Sequence, residues 1–396
     1  MKKFYTLLLF VLAFFQYNAQ DTTEFSSSNI ALRPLNQFAD GKLAIGGYVE
    51  ANTNYFREDG ISEGISFEMR RTNLFINSQI SPKIRFISEL EFEHGTEEIA
   101  LETALMDFQL HPLLNFRGGI ILPTIGWFNA NHDSPNWEFI ERPLVSEHLI
   151  PATLNEVGFG FFGKYFFTEK TGITYDFYLT NGLQEGIIDY ASGRTYIPGG
   201  KTAEILSENN NGRLFQNVRI GLTTPFINRI GIAYYGGTYN RFRIEGDQVA
   251  NPLNIHLYAL DFQKKWGKLN ILGEAAWSQI NLKPADVGFM GSKQFGYHVD
   301  FIYALLKKPV FGFEESVINL ALRVESVDWN MDLMPLLIDP TPTYGDQQTG
   351  FQAGINWRPV ANTIFKFSYG RYQITDYLNN DPAILGSYQF GLASYF

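Results

Sequence analysis

The sequence predicts an all-β protein: a transmembrane antiparallel β-barrel of about 16 strands, with long outer loops and short periplasmic turns. Three observations predict it. The chain ends on a half-apolar strand, apolar and polar residues alternate in stretch after stretch, and long and short connections take turns along its length. A strand that closes the chain makes sense where the last strand must pair with the first, because an open sheet edge cannot stand in lipid.

The elements follow in order. Lys2 and Lys3 precede the apolar run Phe4 to Phe15 and then Gln16-Tyr17-Asn18-Ala19. This reads as a secretory signal, residues 1–19, cut near Ala19–Gln20. At about a dozen residues the run is short of the roughly 20 that a spanning helix needs. Residues 20–40, with Ser26-Ser27-Ser28, are expected as a short periplasmic N-terminal segment, too short to plug a barrel. The barrel itself is assigned to 41–396.

Within it the period is two. Leu43, Ile45, Val49 and Tyr55 oppose Lys42, Glu50, Asn52 and Asn54. Ile84, Phe86, Leu90 and Phe92 oppose Lys83, Arg85, Glu89, Glu91 and Glu93. Ile173, Tyr175, Phe177 and Leu179 oppose Thr174, Asp176 and Thr180. Phe295, Tyr297, Val299, Phe301 and Tyr303 oppose Gly296, His298 and Asp300. One face suits lipid and the other suits water. The final run Ser387 to Phe396 places Tyr388, Phe390, Leu392 and Phe396 on the lipid parity, with Ser394 as the exception.

A soluble sandwich also alternates, so the connections decide. Short links occur near 81–82, 111–112, 169–170, 225–228, 266–267, 307–315 and 359–362. Longer ones fall at 57–64, 94–101, 123–155, 181–212, 240–253, 282–293, 329–347 and 374–386. Seven turns and eight loops make 16 strands with both termini on the short-turn side, the asymmetry of a bacterial outer-membrane barrel. A barrel of this size leaves a wide lumen. The loop 123–155 is long enough to enter it and is assigned as the constriction loop, with 181–212 as a second candidate.

Composition agrees. The chain has 35 Phe, 21 Tyr and 36 Gly, which suits aromatic girdles and tight turns. Cys is absent, which excludes disulfides and thiolate metal sites. A net charge of −10 argues against nucleic acid as a partner.

Three motifs carry less than their letters suggest. Gly158 to Gly163 spells G-F-G-F-F-G, but within a strand and with no helix to receive a pyrophosphate, so no cofactor is expected. Its glycines are expected to leave space where the constriction loop folds back. Asp328, Asn330, Asp332 and Asp339 mimic a calcium loop, yet Leu333 stands where the turn wants Gly. The six His are scattered. His298 with Ser278 in a neighbouring strand is the one hydrolase-like pair; His132 and Asp133 read as polar groups of the pore mouth rather than metal ligands, and neither catalytic nor metal residues are assigned.

The run G-G-I-I-L-P-T-I-G-W followed by N-W-E-F-I-E-R-P-L-V-S-E-H-L-I-P-A-T-L-N-E-V-G-F-G-F-F-G, at 118–163, resembles the strand and long loop of the phosphate-selective porin O and P family. Arg70-Arg71, Glu89 to Phe92, Arg323-Val324-Glu325 and G-I-N-W-R-P at 354–359 extend the resemblance over roughly 40–396. It implies a homotrimer of 16-stranded channels in the outer membrane of a Gram-negative bacterium, in contact with outer-membrane lipid and passing small hydrophilic solutes or anions such as phosphate.

Matched residue by residue, Arg117 precedes the Gly pair, Arg142 follows Glu141 in the loop, and Arg323 precedes the Glu of its strand. Parity adds Arg85, Lys164, Arg219 and Lys366 to the lumen side. These seven are the expected pore-lining residues, since basic rings favour anions. The same parity also turns Glu50, Glu89, Glu91, Glu93, Asp107, Glu156, Asp176, Glu274, Asp300 and Glu325 inward. Mixed charges pair across a wall as readily as they line a path, Arg323 with Glu325 above all. Alternatives from other classes are an outer-membrane hydrolase and a non-conducting surface-binding barrel.

Overall fold

The period-two patterning folds into sixteen long strands. In the computed structural model, which describes residues 30, 33–34, 36–38, 43–288, 290–332 and 345–396, they are β1 (Leu43–Glu58), β2 (Ile65–Ser81), β3 (Ile84–Glu93), β4 (Glu98–His111), β5 (Leu114–Ile121), β6 (Glu156–Thr168), β7 (Thr171–Thr180), β8 (Phe215–Thr223), β9 (Arg229–Thr238), β10 (Asn254–Trp266), β11 (Leu269–Ile280), β12 (Lys293–Lys307), β13 (Val317–Asp328), β14 (Gln347–Val360), β15 (Thr363–Thr375) and β16 (Ala383–Tyr395). Each pairs antiparallel with its sequence neighbour, and β16 returns to β1 between Tyr48↔Tyr395 and Glu58↔Leu385. The sheet is therefore closed, with the seam interrupted only between Asn52 and Phe56, where the Phe390 N–H donates to Thr53 Oγ1 at 2.9 Å. The expected signal 1–19 and most of 20–40 lie outside the described residues.

Alternation sorts the wall into two faces. Phe159, Phe161, Phe177, Leu179, Ile220, Ile232, Phe301 and Leu322 are exposed on the outside, while Asp176, Tyr178, Arg219, Asp300 and Arg323 are buried inside. Each exposed apolar side chain meets acyl chains in a bilayer, which is why the row must stay free of charge. Ser394 interrupts it on β16. Its hydroxyl lies 2.8 Å from Thr363 Oγ1 on β15, so the polar group is satisfied by the next strand.

One bulge has a chemical effect. Arg71 pairs with Glu50 whereas Met69 pairs with Ala51, so β2 carries one extra residue, Arg70. An extra residue breaks the alternation locally. Arg70 and Arg71 consequently both send their guanidinium groups inward, Arg70 to Glu141 and Arg71 to Glu50.

Turns join β2–β3, β4–β5, β6–β7, β8–β9, β10–β11, β12–β13 and β14–β15, and the other connections are the loops. Phe396 sits at the turn end, where its backbone N–H donates to the Gly47 carbonyl at 3.0 Å and its ring covers Gly47. The two longest loops do not project outward. Loop 122–155 carries a 3-10 turn at Ser134–Asn136 and a short helix, α1 (Leu144–His148). Loop 181–214 carries three 3-10 turns and a two-stranded ribbon, Ile188–Asp189 with Arg194–Thr195. Ile125, Val145, Leu149 and Ile150 from the first loop pack with Leu183, Ile187, Ile197 and Ile205 from the second and with Tyr235, Ile255, Leu257 and Val327 of the wall. One side of the interior is thus a dry apolar core, not the uniformly wide lumen that strand number alone implies.

Part of the N-terminal segment packs on the barrel. Asn36–Phe38 pairs with the start of β1, from Asn36↔Ile45 to Phe38↔Leu43. Ile30 is buried among Ile87, Leu105, Ile121, Leu122, Ala130 and Tyr178, and Arg33 is buried between the wall and loop 122–155.

Candidate functional site in the barrel interior

Loop 122–155 crosses the interior and is gripped from nearly every side. Its first part is held by β11 and β8. The Glu274 carboxylate accepts from the backbone N–H groups of Trp127 (2.6 Å) and Phe128 (3.0 Å) and from Ser146 Oγ (3.1 Å), and Asn217 Oδ1 accepts from the Thr124 N–H at 2.9 Å. Gly126 makes this possible. Its φ is +66°, and a Cβ there would stand 2.3 Å from Glu274 Oε2, so only glycine admits the carboxylate. Arg219 donates to the Gly126 carbonyl at 2.9 Å, and the Arg229 guanidinium lies 3.3 Å from the centre of the Trp127 ring.

The middle of the loop is held by the closing strands. Lys366 donates to the Ser134 and Phe139 carbonyls (2.9 and 2.8 Å) and sits over the Trp137 ring. Glu138 takes Arg358 (2.8 Å) and Asn356 (2.8 Å). Ser134 donates to Glu50, and Tyr395 to Asp133. Glu141 is bound by Arg70 at 2.7 Å and by Gln389 at 2.6 Å. Burial alone raises a carboxyl pKa, yet Arg70 overrides it and holds Glu141 below the ordinary carboxylate value. At the far end the Leu144 N–H donates to Glu325 at 2.7 Å. Hydrogen bonds to charged groups are worth about 1.5–3 kcal/mol each, and this loop collects many.

The seven residues expected to line the pore can now be placed. Arg117 and Arg85 share Asp107, at 2.7 and 3.3 Å, and Arg117 stacks on Phe162. Arg219 binds Asp261 at 2.5 Å. Arg323 forms a bidentate pair with Asp300, at 2.7 and 2.8 Å, and donates to the Glu141 carbonyl. The expected Arg323–Glu325 pair gives way to this one because Asp300 lies directly opposite Arg323 on β12, whereas residues two apart on one strand lie one pleat away. Glu325 turns to Leu144, Tyr372 and Gln352. Lys366 grips the loop, Arg142 donates within the loop to the Ala152 carbonyl at 2.6 Å, and Lys164 lies 5.8 Å from the Phe166 ring near the turn end. All seven are thus dispersed around the wall and the loop instead of forming one ladder.

Sequence reasoning missed Arg33, Arg71, Arg229 and Arg358 as interior residues. Parity was signal enough for Arg229 and Arg358. Arg71 shares its parity with the buried Asn73 and Phe75, while Arg70 needed the bulge and Arg33 the tertiary fold. Other expectations are corrected. The space at Gly158 and Gly160 is taken first by β7, since a Cβ would meet Leu179 O and Thr180 at the first and Phe177 O and Tyr178 at the second. His298 lies opposite Glu274 and Glu325, while Ser278 lies opposite Gln294 and donates to it, so the hydrolase-like pair is never brought together. Asp332 binds Ser292 and Asp328 accepts from the Asn330 N–H, two separate contacts; Leu333 and Asp339 lie outside the described residues.

No protein-family profile matches the chain. An uncharacterized protein of Aquifex aeolicus (strain VF5) is 30% identical over 149 residues, 36% of this chain, and the match spans 33% of that relative's length. Among solved structures, Salmonella typhi OmpF in complex with daunomycin is similar with a TM-score of 0.57 at 10% identity, covering 91% of this chain and 99% of that one. The outer membrane channel DcaP of Acinetobacter baumannii is similar with a TM-score of 0.51 at 12% identity, covering 91% and 99%. At such identities the likeness is one of fold, and the fold is the closed sixteen-strand antiparallel barrel of outer-membrane porins and channels.

Proposed function

We propose that this chain is an outer-membrane porin of the porin O and P type, exported by its N-terminal signal and assembled as a homotrimer, that passes small hydrophilic solutes by diffusion. The observation that carries the reading is a long loop folded into a closed sixteen-strand barrel and fastened to charged wall residues by hydrogen bonds. Such an arrangement narrows a lumen at a fixed height while leaving the wall intact. The exposed apolar rows supply the contact with outer-membrane lipid.

The anion preference implied by the resemblance asks for basic side chains free to meet solute. Arg117, Arg219 and Arg323 each face an aspartate instead, which supports weak selectivity rather than a dedicated phosphate path. The test is conductance of the purified protein in a planar bilayer, with the reversal potential read in a salt gradient. Stepwise conductance with a reversal potential near zero is the expected result. A strongly cation-selective value would sink the phosphate assignment. Absence of any conductance would sink the porin and favour a non-conducting surface-binding barrel, the second reading, for which the apolar core between the two long loops speaks.

A further inference from the structure

Where loop 122–155 meets β3 and β4, four groups capable of holding a metal ion converge. Glu89, His132 and Asp133 are all buried, and each offers a ligand atom within 4.8 Å of the others. Glu102 completes the group from β4. Its side chain is 3% exposed, and both of its carboxylate oxygens lack a hydrogen-bond partner. His132 Nε2 stands 3.1 Å from Glu102 Oε1, outside hydrogen-bonding geometry.

The orientation of the imidazole sharpens the point. His132 Nδ1 lies 2.9 Å from the Asn129 carbonyl, which accepts and so places the ring proton on Nδ1. In the neutral ring Nε2 then carries a lone pair, aimed at a carboxylate. Two electron-rich atoms this close, both buried, need a proton or a metal ion between them. A carbonyl that fixes the far nitrogen of a histidine is also how metal-bound imidazoles are held.

Charge points to the kind of cation. Glu89, Glu102 and Asp133 bring three negative charges. Arg33 supplies one positive charge, bonded to Glu89 at 2.7 Å and to Asp133 at 2.8 and 2.5 Å. Arg71 is shared among Glu50, Glu91 and Glu93. The remainder is two negative charges, which one divalent ion balances. One nitrogen ligand among carboxylates suits a first-row ion such as Zn²⁺ better than Ca²⁺, which takes oxygen ligands alone.

We propose that Glu102 and His132, with Glu89 and Asp133 beside them, form a site for a Zn²⁺-like divalent cation that bolts loop 122–155 to the β3–β4 wall. Arg33 is the outer partner that orients two of the carboxylates. A bound ion ties the middle of the loop to β3 and β4, beside the Asp133–Tyr395 contact with β16.

The experiment is metal analysis and isothermal titration of the full refolded protein in detergent with ZnCl₂ alone. One Zn²⁺ per chain is expected, and Glu102→Gln, nearly isosteric, should weaken binding by tenfold or more, as should His132→Ala. His94→Ala removes an exposed histidine from another place and should change nothing. Heat-modifiable migration and circular dichroism verify that each variant folds. X-ray absorption at the zinc edge of the wild type needs no variant, and it should show one imidazole with oxygen ligands at about 2.0 Å. Folded wild type that binds no stoichiometric Zn²⁺, a Glu102→Gln protein that binds as well as wild type, or a zinc shell without imidazole would each overturn the proposal. In the first case Glu102 and His132 hold a proton instead.

Discussion

Replacing Asp300 by Asn tests whether the interior charges hold the barrel together or wait for solute. Arg323 and Asp300 are both almost fully buried, joined by two bonds of 2.7 and 2.8 Å. Asparagine keeps the shape, loses the charge and offers one acceptor in place of two. Removing one partner of a buried pair costs about 3–5 kcal/mol, and at about 1.4 kcal/mol per tenfold this is roughly two to three and a half orders of magnitude in the folding equilibrium. Arg323 keeps its bond to the Glu141 carbonyl and its place over the Phe139 ring, so the lower end is expected. Urea titration in lipid vesicles should show an earlier midpoint. Adding Arg323→Met, which removes the stranded charge and retains the ring contact, should recover most of the loss. In a bilayer the single variant should move the reversal potential towards anions, because one interior cation is freed. An unchanged midpoint for Asp300→Asn, or a double variant less stable than the single, would refute the reasoning.

Leu322→Arg places a charge on the outer face beside Phe301, and about 2–4 kcal/mol of folding stability should be lost near the bilayer midplane, seen as a smaller folded band in vesicles. His148, on α1, is pushed down to about 4 by burial and by Arg194, and its ring packs on Trp329 and Tyr196. The unfolded chain then binds more protons at this residue between pH 6.5 and 4, so the contribution of His148 is constant above 6.5 and falls by about 3 kcal/mol as pH drops to 4. His148→Gln should flatten that slope in urea titrations run at several pH values. Deleting Phe396 removes the cover of Gly47 and one seam hydrogen bond, and should slow assembly into vesicles while leaving the conductance of assembled protein unchanged.

The barrel was legible because lipid reads one side chain in two, and the alternation from Phe295 to Tyr303 or from Ile173 to Leu179 survives unaltered in the structure. Strand number was legible because six of the seven turns are short; the β12–β13 link, 308–316, is longer than the β3–β4 loop. Partners of the interior charges were not. Parity says that Arg323 faces inward, but its choice of Asp300 over Glu325 depends on the register of β12 against β13, which no local pattern encodes. Glu274 showed only as an inward acid, since its partners are backbone N–H groups more than a hundred residues away. Arg70 was hidden by a bulge. Arg33 belongs to a segment whose serines suggest solvent, and only a buried Glu89 and Asp133 explain where it goes.

The anchors of loop 122–155 also impose a timetable. Asp133, Ser134 and Glu138 find partners in Tyr395, Lys366, Arg358 and Asn356, which follow them by 218 to 262 residues. Contacts so distant along the chain are slow to form, because the intervening segment must be ordered first. The segment from Asp133 to Glu138 therefore cannot settle before those strands exist. Its middle docks only once β14–β16 are in place, making the hydrogen-exchange protection of residues 133–139 a clock for the last strands to join.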